Sequence, residues 1–357
     1  QKEYIASITG LILNVVSYLA IILLVTWEQN YLLALGIGTV TEVVLNIWIS
    51  WYVEQKYPFL RQRRKEKSTS SLTKRIVRDL KSLFISRISE KMLYCTDNLI
   101  ISGFIGVGTV GRYANYCMIT QAISNILTIL ANTIQPTVGD YFTEKNRQRN
   151  YEILRQLTFG FFCIASVVSV GLFSLITPFV RDIWLGPSYE LGWGITVFCI
   201  VVLLVRIMGL PLSLVMGVTG LFEKEKNVGA SSALLNLIVS LALVKPYGMA
   251  GVLLGTLLSY LLQILYRYII YFRDFLEMPG EALRYAQDIG EYLAVIAGEV
   301  LLMQKIVPLI YGAGGMLLFC VCFLLCIAIP LLLDLVIFGR GWRLQSIVTM
   351  VKGMRKA

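Results

Sequence analysis

Long apolar stretches separated by short polar connections run through nearly the whole chain. Most stretches hold about 20 residues, the length that an α-helix needs to cross the hydrocarbon core of a bilayer. The strands of a transmembrane β-barrel would instead appear as short segments of alternating polarity, which this pattern excludes. We therefore predict an all-α polytopic membrane protein of about ten transmembrane helices. The predicted spans are residues 4–26, 31–53, 81–106, 111–135, 157–180, 191–222, 228–244, 249–272, 289–309 and 315–338.

The third predicted span carries ionisable and polar side chains along one helical face. A charged group at the centre of a membrane helix costs about 2.5 kcal/mol or more, so this face must contact protein or water instead of lipid. Its bases and acids either neutralise one another or line a hydrated cavity, and the sequence leaves both interpretations open. The face consists of Arg87, Glu90, Lys91, Tyr94, Asp97 and Asn98.

The fourth and sixth spans add further polar positions. In the fourth, Gln121, Asn125 and Asn132 recur at helical spacing, so they either bond to neighbouring helices or line the same cavity. In the sixth, Arg206 lies within an apolar run shortly before Pro211, which indicates either a structural kink or a break that lines a cavity. Three isolated acids in other spans are equally undecided, namely Glu42, Glu299 and Asp334.

The composition argues against catalytic, metal and nucleotide-binding sites. The chain of 357 residues is 57% hydrophobic and 15% charged, and it contains no His, the commonest general base and metal ligand. The seven Cys lie in or near apolar spans without an acidic ligand cluster, so they are interpreted as packing residues. No phosphate-binding G-x-x-x-x-G-K-[ST] loop is present. We expect no enzyme activity, no cofactor and no metal.

The basic residues predict the orientation of the spans. Connections on one side carry 24 Lys and Arg, including those of the basic loop 54–79 and of the tail 339–357, whereas the opposite connections carry four. Because basic loops stay inside, the richer side and both termini are predicted to be cytoplasmic. This arrangement explains the net charge of +10 better than binding to nucleic acid does. The tail is predicted to lie on the membrane surface as an amphipathic helix.

A weak internal repeat relates the first two spans to the seventh and eighth. Gly38 and Thr39, followed by residues 45–47, have the same spacing as Gly255 and Thr256, followed by residues 262–264. In the preceding spans, Asn14 corresponds loosely to Asn236. The repeat predicts that 1–53 holds the last two helices of a first lobe and 80–273 a complete six-helix lobe. Residues 274–338 then form a linker and an extra C-terminal helix pair, and we expect four helices of the first lobe to precede this chain.

Several short motifs connect the chain to a known family. They are QKEYI at residues 1–5, TDNLIIS at 96–102, GRYANY at 111–116 and TVGD at 137–140. With the hydropathy pattern, they make the chain resemble the polysaccharide-transporter branch of the multidrug/oligosaccharidyl-lipid/polysaccharide flippase superfamily. The resemblance implies two six-helix lobes around a central cavity.

The resemblance also implies a function. It is translocation of an undecaprenyl-diphosphate-linked oligosaccharide across the bacterial cytoplasmic membrane, for capsule, O-antigen or exopolysaccharide assembly. The expected partners are this lipid-linked oligosaccharide, membrane lipids and other polysaccharide-assembly proteins. Arg87, Lys91 and Arg206 are the candidate phosphate ligands, and Tyr94, Asp97, Asn98, Gln121, Asn125 and Asn132 the candidate polar cavity wall. The alternatives are a drug/cation antiporter that uses Asp97 as its coupling acid and a scaffold that transports nothing.

Overall fold

The computed structural model describes residues 3–27, 31–56, 95–142, 146–312 and 314–339. In these ranges the regular secondary structure is entirely helical. The chain divides into two compact units, Gln1–Arg75 and Ile76–Ala357. Most of the predicted basic loop, the tail beyond Gly339, and the candidate site residues Arg87, Lys91 and Tyr94 lie outside the described residues.

The first unit is described as a helical hairpin. Helix α1 spans Glu3–Trp27 and helix α2 spans Tyr31–Lys56. The two helices are joined by a hydrogen bond of 3.1 Å from Thr41 Oγ1 to Ser17 Oγ, and Ser17 is buried. Side chains above and below this contact are largely exposed, so the hairpin by itself buries little of its apolar surface.

The second unit contains the other eight described helices. A helical stretch at residues 95–104, here α3, is followed by seven helices that are long and apolar enough to cross a membrane. This finding confirms an all-α polytopic membrane protein. The seven are α4 (Val107–Tyr141), α5 (Arg147–Pro178), α6 (Trp193–Val218), α7 (Phe222–Tyr247), α8 (Met249–Ile270), α9 (Pro279–Tyr311) and α10 (Met316–Phe338).

Several helices extend beyond the apolar segments that predicted them. The predicted polar linker 140–156 is mostly helical, because Asn146 caps α5 by accepting a hydrogen bond from the Arg149 amide. The predicted charged turn 223–227 belongs to the first turns of α7, and the break comes earlier, where Gly220 has a φ of 71°. The predicted linker 273–288 is largely helical as well, since α9 begins at Pro279.

Helix α6 lies at the centre of the second unit. It packs against α4, α5 and α8, while α5 also packs against α9 and α10. Of the two alternatives at Pro211, a break of the helix is not observed, since α6 continues through this buried residue. Close by, α6 and α8 approach closely, because a Cβ atom at Gly209 would lie 2.9 Å from Ile264 Cγ1 of α8.

Helices α7 and α8 form the most closely packed pair of the unit. Gly251, Gly255 and Ser259 recur every four residues on the buried face of α8. A Cβ atom at Gly251 would collide with the Leu243 carbonyl, and one at Gly255 would collide with Ser240 Oγ. Small residues at this spacing let helix backbones approach closely in a membrane. The pair is connected by Gly248 alone, whose φ of 57° and ψ of −136° suit glycine.

Candidate functional site

Helix α4 presents three different faces along its length. One face, which includes Ser124, Leu127 and Ala131, is buried against the bundle. A second face exposes apolar side chains suited to lipid, such as Ile126 and Ile129. The third face carries the predicted polar stripe, and it is not buried in the described part of the chain. Asn125 and Asn132 are exposed on it, and Gln121 is half-buried.

The polar groups of this third face bond along their own helix. Gln121 Nε2 donates to Asn125 Oδ1 at 2.9 Å, and Thr128 Oγ1 donates to the Ser124 carbonyl at 2.8 Å. Near the end of the stripe, Asn132 and Gln135 line a shallow cavity of about 290 Å³ together with Val218 of α6. An exposed row of amides in a membrane-spanning helix needs water, a polar ligand or another polar helix face, because lipid offers no hydrogen bonds.

Arg206 lies half-buried on α6. Its guanidinium carbon is 5.4 Å from the centre of the Tyr260 ring of α8, a cation–π contact that fixes the guanidinium plane against the ring. Helix α6 also packs against α4. Arg206 therefore lies on the helix that contacts both α4 and α8, with its guanidinium on the Tyr260 ring of α8.

Asp97 of α3 takes a different position from that of the exposed amides. Its side chain is buried, with 4% exposed, whereas the neighbouring Asn98 is exposed. Thr256 Oγ1 of α8 donates to Asp97 Oδ2 at 2.6 Å, and Asn236 Nδ2 of α7 approaches Asp97 Oδ1 at 3.4 Å. Asn236 Nδ2 also donates to Thr256 Oγ1 at 2.8 Å, so the three side chains form one connected network.

The Asp97 network is rich in oxygen atoms. Asn236 Oδ1 is buried without a hydrogen-bond partner in the described residues, and the Val252 carbonyl lies 3.4 Å from Thr256 Oγ1. Oxygen atoms around one carboxylate are suited to bind a proton or a hard cation. Zinc instead prefers nitrogen and sulfur ligands. In keeping with this, the described residues contain no group of three or more His, Cys, Asp and Glu side chains placed to hold a metal.

The structure brings together some of the predicted site residues and separates others. Gln121, Asn125 and Asn132 share one face of α4, Arg206 lies on the neighbouring helix α6, and Asp97 is in the interior. Sequence reasoning did not assign Thr256 and Asn236 to the site. Both residues appear in the internal repeat, which was the available signal that their positions are special.

Comparison with known proteins finds a similarity to one protein family. Residues 2–142, which cover α1 to α4, match the family described as polysaccharide biosynthesis protein. A search of curated proteins found no match. The family match includes the TDNLIIS, GRYANY and TVGD motifs together with most of the polar face of α4. Over this stretch, the chain is similar to the family described as polysaccharide biosynthesis protein.

Proposed function

We propose that this chain is part of a flippase that carries a polyprenyl-diphosphate-linked oligosaccharide across the cytoplasmic membrane. One observation carries the proposal: in the stretch similar to a polysaccharide biosynthesis family, a membrane-spanning helix exposes a row of amides, and the helix packed against it carries a half-buried arginine. Oligosaccharides are recognised through hydroxyl groups, and amides both donate and accept the hydrogen bonds that hydroxyls form.

The arginine supplies the complementary group for the carrier lipid. A guanidinium forms charge-assisted, two-pronged hydrogen bonds with phosphate oxygens. Tyr260 holds the plane of the Arg206 guanidinium, which pre-organises this contact. In the proposed mechanism the diphosphate binds at Arg206, the sugars lie along α4, and the prenyl chain stays in lipid. Rocking of two lobes then opens the site to alternate sides of the membrane.

The Asp97 network is the proposed coupling site of this transport. Its carboxylate connects α3, α7 and α8, so binding or loss of a proton or a sodium ion at Asp97 changes the contact among three helices. Asp97 is buried away from the exposed amides, so it serves the coupling cation instead of the oligosaccharide. In the alternative of a drug/cation antiporter, Asp97 would release its cation into a cavity that binds cationic drugs. The positive charge of Arg206 repels such drugs and disfavours this alternative.

The test measures translocation of a labelled polyprenyl-diphosphate oligosaccharide in vesicles that contain the protein together with any further segments of its gene product. Arg206→Ala should reduce the rate by about tenfold or more, since a hydrogen bond to a charged group contributes about 1.5–3 kcal/mol. Arg206→Lys should retain part of the activity, because Lys keeps the charge but loses the planar fork. Arg112→Ala, at an exposed position of α4, is the matched control and should leave transport unchanged.

A second comparison addresses the amide face. Asn132→Leu should impair transport, whereas Thr133→Leu should not, because Thr133 is exposed on the next position and bonds to its own helix. Equal transport by all of these variants at normal abundance would refute the proposal. Efflux of a cationic dye that needs Asp97 and is unaffected by Arg206→Ala would support the antiporter instead.

A further inference from the structure

A second group of acids is buried in the second unit, between α5, α9 and α10. Glu299 of α9 and Asp334 of α10 each expose 3% of their surface, and Ser166 of α5 exposes none. The three helices pack directly against one another. The sequence showed these acids as isolated positions in different spans, but folding brings them to one interface.

The two carboxyl groups receive few hydrogen bonds. Ser166 Oγ donates to Glu299 Oε2 at 2.6 Å. Glu299 Oε1 and both carboxyl oxygens of Asp334 are buried without a hydrogen-bond partner in the described residues. Helices α9 and α10 pack against each other and against α5, so both buried acids lie among the same three helices. The oxygens that lack partners therefore belong to one buried interface.

The surroundings of the pair offer little compensating charge. Along these helices, the other described ionisable residues within about two turns of the three side chains are Cys163 of α5, Glu291, Tyr292 and Lys305 of α9 and Cys326 of α10, and Glu291 and Lys305 are exposed. Arg155 lies about 16 Å from Ser166 along α5 by helical rise, and there it forms an ion pair with Asp288 of α9.

The bases on the other elements packed against these three helices have partners elsewhere or are exposed. Arg206 of α6 lies against the Tyr260 ring of α8. Arg181, in the segment after α5, is paired with Asp182 at 2.8 Å. The turn after α8 contributes Arg273, which is exposed and paired with Asp274, and Lys305 of α9 is exposed as well. Within the described ranges, no basic side chain neutralises Glu299 or Asp334.

Packing differs on the two sides of the acids. On one side, aromatic rings close the interface: the Phe162 and Tyr292 rings stack at 4.4 Å, and Phe338 contacts both. On the other side, a cavity of about 680 Å³ lies between α5, α9 and the segments that follow them, and its lining includes Ser174, Arg181, Asp182, Gln304 and Tyr311. Ser174 is about 12 Å from Ser166 along α5 by helical rise.

These observations determine what the pair binds. Two ionised carboxylates cannot both stay charged in an apolar interface without a counterion, and a proton removes one charge at the smallest steric cost. We propose that Glu299 and Asp334, together with Ser166, form a proton-binding site that links the C-terminal helix pair α9–α10 to α5. Loss of the proton places repelling charges in this interface and loosens α10 from α5. The site does not depend on which substrate the protein carries.

The experiment uses dicyclohexylcarbodiimide, an apolar reagent that modifies protonated carboxyl groups buried in membranes. The unsubstituted chain in lipid nanodiscs is treated over a range of pH, and the adducts are located by mass spectrometry of peptides. Glu291, an exposed acid two turns before Glu299 on α9, is the matched control. We expect labelling of Glu299 or Asp334 to exceed that of Glu291 by about tenfold or more, and to fall by about tenfold per pH unit once the site titrates.

Three outcomes decide the proposal. Labelling that equals that of Glu291 would overturn it, and so would labelling without pH dependence. Protection by sodium at constant pH would also overturn it, since the pair would then be a sodium site. Glu299→Gln and Asp334→Asn provide an additional check, because each should abolish the adduct at its own position while the chain remains monodisperse. Since labelling needs no transport, its result is independent of the flippase assay.

Discussion

The Asp97 network and the Glu299–Asp334 pair are both buried acids between membrane helices, but their hydrogen bonding differs. Asp97 is a single carboxylate approached by donors from two other helices, Thr256 and Asn236. The pair has two carboxyl groups and one donor, Ser166. Donors from two helices favour the charged form of Asp97, which can then hold a coupling cation, whereas the pair has too few donors and depends on protons to lose one of its charges. The difference indicates that burial alone does not tell how an acid is used; the donors around it do.

Removal of the Asp97 carboxylate should have the largest effect on stability. Asp97→Ala leaves the Thr256 hydroxyl and the Asn236 amide without their acceptor, which costs about 3 kcal/mol of unfolding free energy for two hydrogen bonds to a charged group. The measurement is denaturant unfolding in mixed micelles. Asn98→Ala, at the exposed neighbouring position, is the control and should change stability little. Equal effects of the two variants would show that the network contributes nothing.

The helix contact that brings Thr256 and Asn236 together should be the next most sensitive. In Gly255→Ala the added methyl group meets Ser240 Oγ and lies 3.2 Å from the Asn236 carbonyl, so we expect a loss of about 2 kcal/mol from overpacking. Gly171→Ala on α5 is the control, because its Cβ atom meets nothing within 4 Å. That control should be neutral or stabilising by up to about 1 kcal/mol through helix propensity. A stabilising Gly255→Ala would contradict the close packing of α7 and α8.

A substitution in the Glu299–Asp334 pair should increase stability instead of lowering it, and this should be the smallest of the three changes. Asp334→Asn removes one of two repelling acids and keeps the size of the side chain, so above neutral pH we expect a gain of about 1 kcal/mol, as replacement of buried charges often gives. Asp97→Asn measured in parallel should be destabilising, because an amide cannot accept as strongly from both donors. If both variants change stability in the same direction, the proposed difference between the two regions is wrong.

The sequence predicted the helices better than their ends. Apolar runs mark only the part of a helix that lies in hydrocarbon, so α9 was predicted to begin at residue 289 although it begins at Pro279. Its first turns are amphipathic and pack through Tyr285, which is buried. Helix capping by Asn146 and an N-terminal Pro279 were visible signals, but membrane span prediction gives them little weight.

Site residues were predicted only where the pattern lies on one helix. The amides of α4 were found from their spacing, and the structure places them on one exposed face. The partners of Asp97 come from helices 139 and 159 residues away along the chain, which periodicity cannot show. The pairing of Glu299 with Asp334 was missed for the same reason. The internal repeat marked Asn236 and Thr256 without revealing that they meet, because in the first hairpin the matching Asn14 and Thr39 are exposed.

The single-residue connection between α7 and α8 has a consequence for biosynthesis. Gly248 provides no flexible linker between the two helices. We therefore expect α7 and α8 to enter the membrane together as a helical hairpin, with their backbone polar groups already satisfied. In that case, the contact between Asn236 and Thr256 forms during insertion, before the other helices assemble around it.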